Sequence, residues 1–265
     1  MASRHLIFDL GMSNGDDTAF YLGKGFRVVA VEARPDLCEA ARARFSVELQ
    51  TGKLTIVERA IWRVAGERIT FFDRGDWSSV FREAAERDGL ASTAIEVGTT
   101  TVSALFTEFG VPHFLKCDIE GGEDIVISQL AQAEDRPRFV SMEDPTGVTA
   151  TRLAAIGFDR FQMVNQGYLR MFKPPKPPRE GGYLNNPSTG RTSGLFGFEL
   201  QSSRWVDEAT LQRQLRRWHS LRDKSVNPIF GYACKRWGKL TKQGWLIPGG
   251  WSDIHATTAA TLHTA

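Results

Sequence analysis

Short apolar runs alternate with helix-favouring segments over the first 165 residues. Residues 6–8 predict a buried strand that ends at Asp9, and residues 28–31 predict a second one. Between these two strands, Asp16 and Asp17 favour the start of a helix. After the second strand, Pro35 favours the start of a helix that runs to Phe45. The same criteria predict strands at 54–61, 69–72, 114–119, 139–142 and 158–164, and helices at 101–109, 125–130 and around 153–156.

This alternation predicts an α/β fold. Successive strands joined by helices lie mostly parallel in one sheet, with the helices on both of its faces. Ligands of such sheets bind beyond the carboxyl ends of the strands. We therefore expect one acidic crevice, formed by the residues that end or follow the strands: Asp9, Glu32, Asp118, Glu120, Glu143 and Asp144.

The pattern changes after residue 173. Residues 173–194 are rich in proline and glycine and predict a surface loop. Residues 195–200 predict a last, antiparallel edge strand, 206–222 an amphipathic helix, and the residues after His255 a frayed end. We therefore predict two domains, 1–203 and 204–265, of which the second is a basic, tryptophan-rich helical arm that could act as a lid.

Composition narrows the class of protein. The 265 residues carry 33 basic and 31 acidic side chains, and a net charge of +2 argues against nucleic acid as a general partner. The three cysteines are widely spaced, which predicts neither disulfides nor structural zinc. The first apolar run is too short for a signal peptide or a membrane span, so we expect a soluble, cytoplasmic protein.

The run from Asp9 to Gly15 predicts a cofactor loop between a strand and a helix. Glu32 ends the next strand about 20 positions after Gly11, the spacing typical of a carboxylate that accepts hydrogen bonds from ribose hydroxyls. NAD and S-adenosylmethionine both contain a ribose. The alternative is that this loop only turns the chain and binds no ligand.

Two features favour S-adenosylmethionine over NAD. A dinucleotide loop usually has glycine where this chain has Ser13. Asp16 and Asp17 at the helix start would repel a pyrophosphate, but they would not oppose a cofactor with a sulfonium and an ammonium group.

A second motif, Leu-Lys-Cys-Asp-Ile-Glu-Gly-Gly-Glu at 115–123, resembles one found in the FkbM family of methyltransferases. The residues that match it are Lys116, Asp118, Glu120, Gly121 and Glu123. The resemblance covers roughly residues 5–200. It implies a class I Rossmann-like methyltransferase with a seven-stranded sheet, S-adenosylmethionine as donor, and usually a hydroxyl group of a sugar or natural product as acceptor.

These arguments together give three sets of candidate site residues. The cofactor-binding set is Asp9, Gly11, Ser13, Asn14, Gly15, Thr18, Glu32, Ala33, Ala60 and Asp118. The catalytic set is Asp118, Glu120, Lys116 and Glu143, with Asp118 first as general base. Asp118, Glu143 and Asp144 could alternatively hold Mg²⁺ or Ca²⁺ through oxygen ligands.

Several alternatives remain open. Asp118 and Glu120 could simply cap the next helix, and Lys116 could neutralise the carboxylates or reach solvent. Trp77, together with Asp73, Asp76 and Ser78, could cover an adenine ring or belong to the core. For the whole chain, an NAD-dependent oxidoreductase and a glycan- or RNA-binding module are the rival functions to an O-methyltransferase.

Overall fold

The computed structural model describes residues 3–144, 146–165, 174–184, 192–224, 236 and 252–264. The chain divides into two compact units, Met1–Val140 and Ser141–Ala265. The elements of the first unit are β1 (Ser3–Leu10), α1 (Asp16–Gly23), β2 (Arg27–Glu32), α2 (Pro35–Arg44), α3 (Ser46–Gln50), β3 (Leu54–Glu58), β4 (Ala60–Ile61), β5 (Arg68–Asp73), α4 (Arg82–Ala85), β6 (Thr93–Thr100), α5 (Val102–Phe109), β7 (Pro112–Cys117) and α6 (Glu123–Gln132). Strand β8 (Phe139–Glu143) contains the boundary between the units.

Four strands of the first unit are parallel and lie in the order β3-β2-β1-β7. Their apolar side chains are buried, as the continuous hydrophobic runs predict, except that Ile56 and Val57 of β3 are half-buried. The register pairs Asp9 with Lys116 and Glu32 with Glu58 at the carboxyl ends of the strands. The glycine loop and the motif at 115–123 are therefore neighbours at the carboxyl ends of these strands.

A three-stranded sheet, β4-β6-β5, was only partly expected. The predicted strand at 54–61 is in fact two strands, because the chain turns at Arg59, whose N–H donates to the Val57 carbonyl (3.0 Å). Strand β6 was not predicted, and it pairs antiparallel with β5. Apolar residues of this sheet, Ala60, Phe71 and Val97, form a buried cluster with Ala33, which follows β2.

The second unit contains α7 (Val148–Ala155), β9 (Arg160–Asn165), α8 (Glu208–Lys224), β10 (Ser252–Thr257) and α9 (Ala259–Leu262). The predicted amphipathic helix at 206–222 is confirmed as α8, with Leu211, Leu215 and Trp218 buried. Residue 173 and residues 185–191 of the predicted loop lie outside the described residues, as do residues 166–172 before it and most of the arm between 225 and 251.

Two predictions for the second unit are wrong. Residues 195–200 do not form the antiparallel strand, because Gly197 has φ +58° and residues 197–199 make a 3₁₀ turn. The antiparallel pairing in this sheet is instead between β9 and β10, from Ser252 to Thr257 of β10. Residues 256–264, which were predicted to be frayed, instead contain the end of β10 and helix α9, which Thr258 caps.

The predicted α/β class, with a mostly parallel sheet of seven strands, is confirmed. The predicted domain boundary between residues 203 and 204 remains a prediction, because the two compact units do not show which part of the chain has which function. Within the described residues, no helix is both long and apolar enough to cross a membrane.

Candidate functional site

The glycine loop has a conformation that only small or glycine residues accept easily. Gly11 has φ +82°, and a Cβ there would lie 1.8 Å from the Asp118 carbonyl oxygen. Gly15 has φ +78° and precedes α1. The Gly11 and Met12 N–H groups donate to the Val31 carbonyl (2.9 and 3.0 Å), so the loop is fixed to the end of β2. Gly11 is therefore required because the β1 and β7 loops pass this close.

Glu32 is buried at the end of β2, and each carboxylate oxygen accepts a backbone N–H. Ser13 N donates to Oε2 (2.8 Å) and Arg34 N donates to Oε1 (2.9 Å). Burial raises the pKa of Glu32, although these hydrogen bonds lower it. The Ala33 N–H contributes a third lowering of the pKa. A carboxylate has about four acceptor positions, so Glu32 can accept at least one further hydrogen bond.

Asp9 is fully buried at the end of β1. The Thr18 hydroxyl donates to its Oδ2 (2.7 Å), and its Oδ1 lies 3.6 Å from Lys116 Nζ. Burial raises the pKa of Asp9 to about 6, against the opposing effect of Lys116. Asp9 and Thr18 thus join the first strand to the first helix from inside the protein.

Lys116 lies among three carboxylates. Its Nζ is 3.1 Å from Asp17 Oδ2, 3.4 Å from Asp118 Oδ2 and 3.6 Å from Asp9 Oδ1. Burial by itself lowers the pKa of Lys116, but the three carboxylates outweigh burial and hold it well above its usual value. Asp17 was identified in the sequence only as a helix-start residue, and its contact with Lys116 depends on the pairing of β1 with β7.

The loop after β7 contains two further predicted catalytic residues, Asp118 and Glu120. The Asp118 side chain is 38% exposed, and Glu120 has φ +51°. Arg87 Nη1 lies 2.8 Å from Glu120 Oε2, and the Ser79 hydroxyl donates to the Glu120 carbonyl (2.6 Å). Glu120 is therefore held by an ion pair that the sequence did not indicate, whereas Asp118 is partly open to solvent.

Glu123 begins α6 and accepts the backbone N–H of Ile119. Burial raises its pKa to about 7, and the nearby carboxylate of Asp118 adds to the effect. The Glu123 carboxyl group thus links the loop at residues 118–122 to the start of α6.

The remaining predicted cofactor residues have defined positions but untested roles. Asn14 Oδ1 accepts the Asp16 N–H (2.9 Å) and so stabilises the start of α1. Ala33 and Ala60 are buried in one apolar cluster beside the end of β2. The Trp77 ring has the guanidinium carbons of Arg87 and Arg74 at 4.6 and 5.6 Å from its centroid. Its predicted contact with adenine remains a prediction.

Glu143 and Asp144 lie in the second unit, at and after the end of β8. Asp144 Oδ1 accepts the N–H groups of Thr146 (2.7 Å) and Gly147 (2.9 Å), and its Oδ2 accepts the Thr149 N–H (2.8 Å). Asp144 therefore caps α7 and has little acceptor capacity left for Mg²⁺. The metal set, and the catalytic role of Glu143, remain predictions.

Comparison with known proteins gives one match to a family and several to solved folds. The model of the methyltransferase FkbM domain matches residues 9–155. No curated protein matches the chain. An FkbM methyltransferase from Methylobacillus flagellatus KT has 18% identity and a TM-score of 0.35, with 54% of this chain and 33% of that chain covered.

Two further structures are similarly distant. An S-adenosylmethionine-dependent O-methyltransferase from Thermotoga maritima has 11% identity and a TM-score of 0.38, with 97% of this chain and 61% of that chain covered. A precorrin-6y C5,15-methyltransferase from Geobacter metallireducens GS-15 has 11% identity and a TM-score of 0.35, with 62% and 69% covered. The chain spans about a third of the length of the Methylobacillus protein.

Proposed function

Since the chain belongs to the FkbM family of S-adenosylmethionine-dependent methyltransferases, we propose that it methylates a hydroxyl oxygen of a sugar, a glycan or a small natural product. The observation that carries the proposal is the buried Glu32 carboxylate. It holds the glycine loop through Ser13 and keeps acceptor capacity for a ribose hydroxyl group.

The residues present fit this cofactor. Glu32 would accept hydrogen bonds from the ribose hydroxyls, and Gly11 to Gly15 would let the backbone approach the ligand closely. Asp17 and Asp118 place negative charge near the same strand ends, which suits a cationic donor and disfavours a pyrophosphate. When bound, S-adenosylmethionine supplies a methyl group made electrophilic by its sulfonium. The remaining members of the proposed cofactor set are Asp9, Asn14, Thr18, Ala33 and Ala60.

Asp118 is the proposed general base. Methyl transfer to an alcohol requires removal of the hydroxyl proton, and Asp118 is a partly exposed carboxylate in the matched motif. Lys116 would act as a positioning residue, because its ammonium contacts Asp118 and Asp17 from inside the protein. Glu120 is the weaker candidate, since its side chain is only 17% exposed and its carboxylate has a closer ion pair, with Arg87 at 2.8 Å.

Calorimetric titration of the wild type with S-adenosylmethionine, S-adenosylhomocysteine and NAD tests the proposal. We expect both sulfur compounds to bind and NAD not to bind. Glu32→Gln should weaken binding about 10- to 100-fold, because charge-assisted hydrogen bonds contribute about 1.5–3 kcal/mol.

Glu58→Gln is the matched control for this experiment. Glu58 is the register partner of Glu32 on β3, but its side chain is 37% exposed and pairs with Arg42. Binding by Glu58→Gln should equal that of the wild type. Failure of both sulfur compounds to bind the wild type would refute the proposal, and binding of NAD alone would favour an oxidoreductase.

A further inference from the structure

A single arginine from α2 holds the cofactor loop from outside. Arg44 Nη1 donates to the Asn14 carbonyl (2.8 Å) and lies 3.0 Å from Asp16 Oδ1. These two contacts join the last turn of α2 to the last part of the loop and to the first residue of α1. Nothing in the local sequence around Arg44 indicates them, because Arg44 and Asn14 are 30 positions apart.

The next residue, Phe45, contacts the same loop. A Cβ built on Gly15 would lie 2.8 Å from Phe45 Cε2, so the ring packs directly against the glycine backbone. The Arg44 guanidinium carbon lies 4.9 Å from the centroid of the Phe45 ring. The Phe45 side chain is buried, which fixes the position from which Arg44 reaches the loop.

The opposite side of the loop is held by the end of β2. Glu32 accepts the Ser13 N–H, and the Val31 carbonyl accepts the N–H groups of Gly11 and Met12. The loop contains a non-glycine residue with positive φ, Ser13 at +50°, which is costly unless other contacts maintain it. Contacts on two sides keep the loop in this conformation.

We propose that Arg44 is a positioning residue that preorganises the cofactor loop, so that S-adenosylmethionine binds without paying the entropic cost of ordering it. This inference rests on the proposed function. The Arg44 side chain is 43% exposed, so its ion pair adds little to the stability of the fold. Its effect is therefore expected in cofactor affinity, since a preordered loop loses less conformational freedom on binding.

The test compares Arg44→Ala with Arg42→Ala. Arg42 lies in the same last turn of α2, is 46% exposed, and makes one ion pair, with Glu58 (2.8 Å). In calorimetric titrations, Arg44→Ala should weaken binding of S-adenosylmethionine about three- to tenfold, whereas Arg42→Ala should bind as the wild type does. Thermal unfolding of both variants should stay close to that of the wild type.

Two further measurements separate positioning from a merely structural role. Hydrogen–deuterium exchange of residues 11–16 should be faster in Arg44→Ala than in Arg42→Ala without any ligand. Because one nitrogen of Arg44 makes both contacts, Arg44→Lys should recover most of the affinity.

Three outcomes are decisive. Weaker binding with faster loop exchange in Arg44→Ala alone supports the inference. Normal binding by Arg44→Ala, or equal losses in both alanine variants, would overturn it and leave the proposed function intact. Absence of binding by the wild type would overturn the proposed function and this inference together.

Discussion

Replacing Glu123 by glutamine should change how stability depends on pH. Burial raises the pKa of Glu123 from 4.5 to about 7, and repulsion from Asp118 contributes further. Below pH 4.5 the carboxyl group is neutral in both folded and unfolded chains. Between pH 4.5 and about 7 the folded chain retains the proton more strongly, so stability from this group is lost as pH rises through that window.

The size of the effect follows from the two pKa values. The difference between 4.5 and about 7 corresponds to about 3 kcal/mol at full burial. The Glu123 side chain is only half-buried, so we expect about 1–3 kcal/mol. Glutamine keeps an oxygen that can accept the Ile119 N–H and has no charge to bury. Glu123→Gln should therefore gain stability relative to the wild type between pH 5 and pH 8.

Denaturant unfolding of both proteins at pH 5, 6, 7 and 8 measures this difference. The informative quantity is the free energy of unfolding of Glu123→Gln minus that of the wild type, which should rise with pH. Asp124→Asn removes an exposed carboxylate at the next position and controls for the loss of one charge at this end of α6. A difference that stays constant across the pH range would show that burial does not determine the titration of Glu123.

Two other substitutions test the proposed division of roles among the acidic residues. Asp118→Asn should lower the rate of radiolabelled methyl transfer about 10²- to 10⁴-fold, a much larger effect than its effect on the affinity for S-adenosylmethionine, and near-normal turnover would rule out Asp118 as the base. Asp144→Ala should lower the free energy of unfolding by about 1–2 kcal/mol, because the N–H groups of Gly147 and Thr149 lose their acceptor. An unchanged denaturation midpoint for that variant would contradict the capping role.

The same acidic positions show how far a sequence pattern can assign roles. The sequence predicted that Asp118, Glu120, Glu143 and Asp144 belong to one acidic crevice, since each ends or follows an apolar strand. In the structure, three of them have different partners. Glu120 is paired with Arg87 and Asp144 caps α7, whereas Asp118 lies 3.4 Å from Lys116 and is partly exposed. The partner of Glu120 lies 33 positions away in the sequence, and those of Asp144 belong to a turn that has no fixed sequence pattern. Neither set of contacts could be predicted from local sequence.

Hydrophobic periodicity and short-range spacing were sufficient to predict the α/β class, the glycine loop and a carboxylate at the end of β2, because local sequence contains both signals directly. They could not predict that β10 pairs antiparallel with β9, or that Lys116 lies among Asp9, Asp17 and Asp118. Strand pairing and buried ion pairs depend on which distant segments of the chain come together. A polar residue has the same sequence neighbours whether or not a distant partner contacts it, so these contacts are defined only in the folded protein.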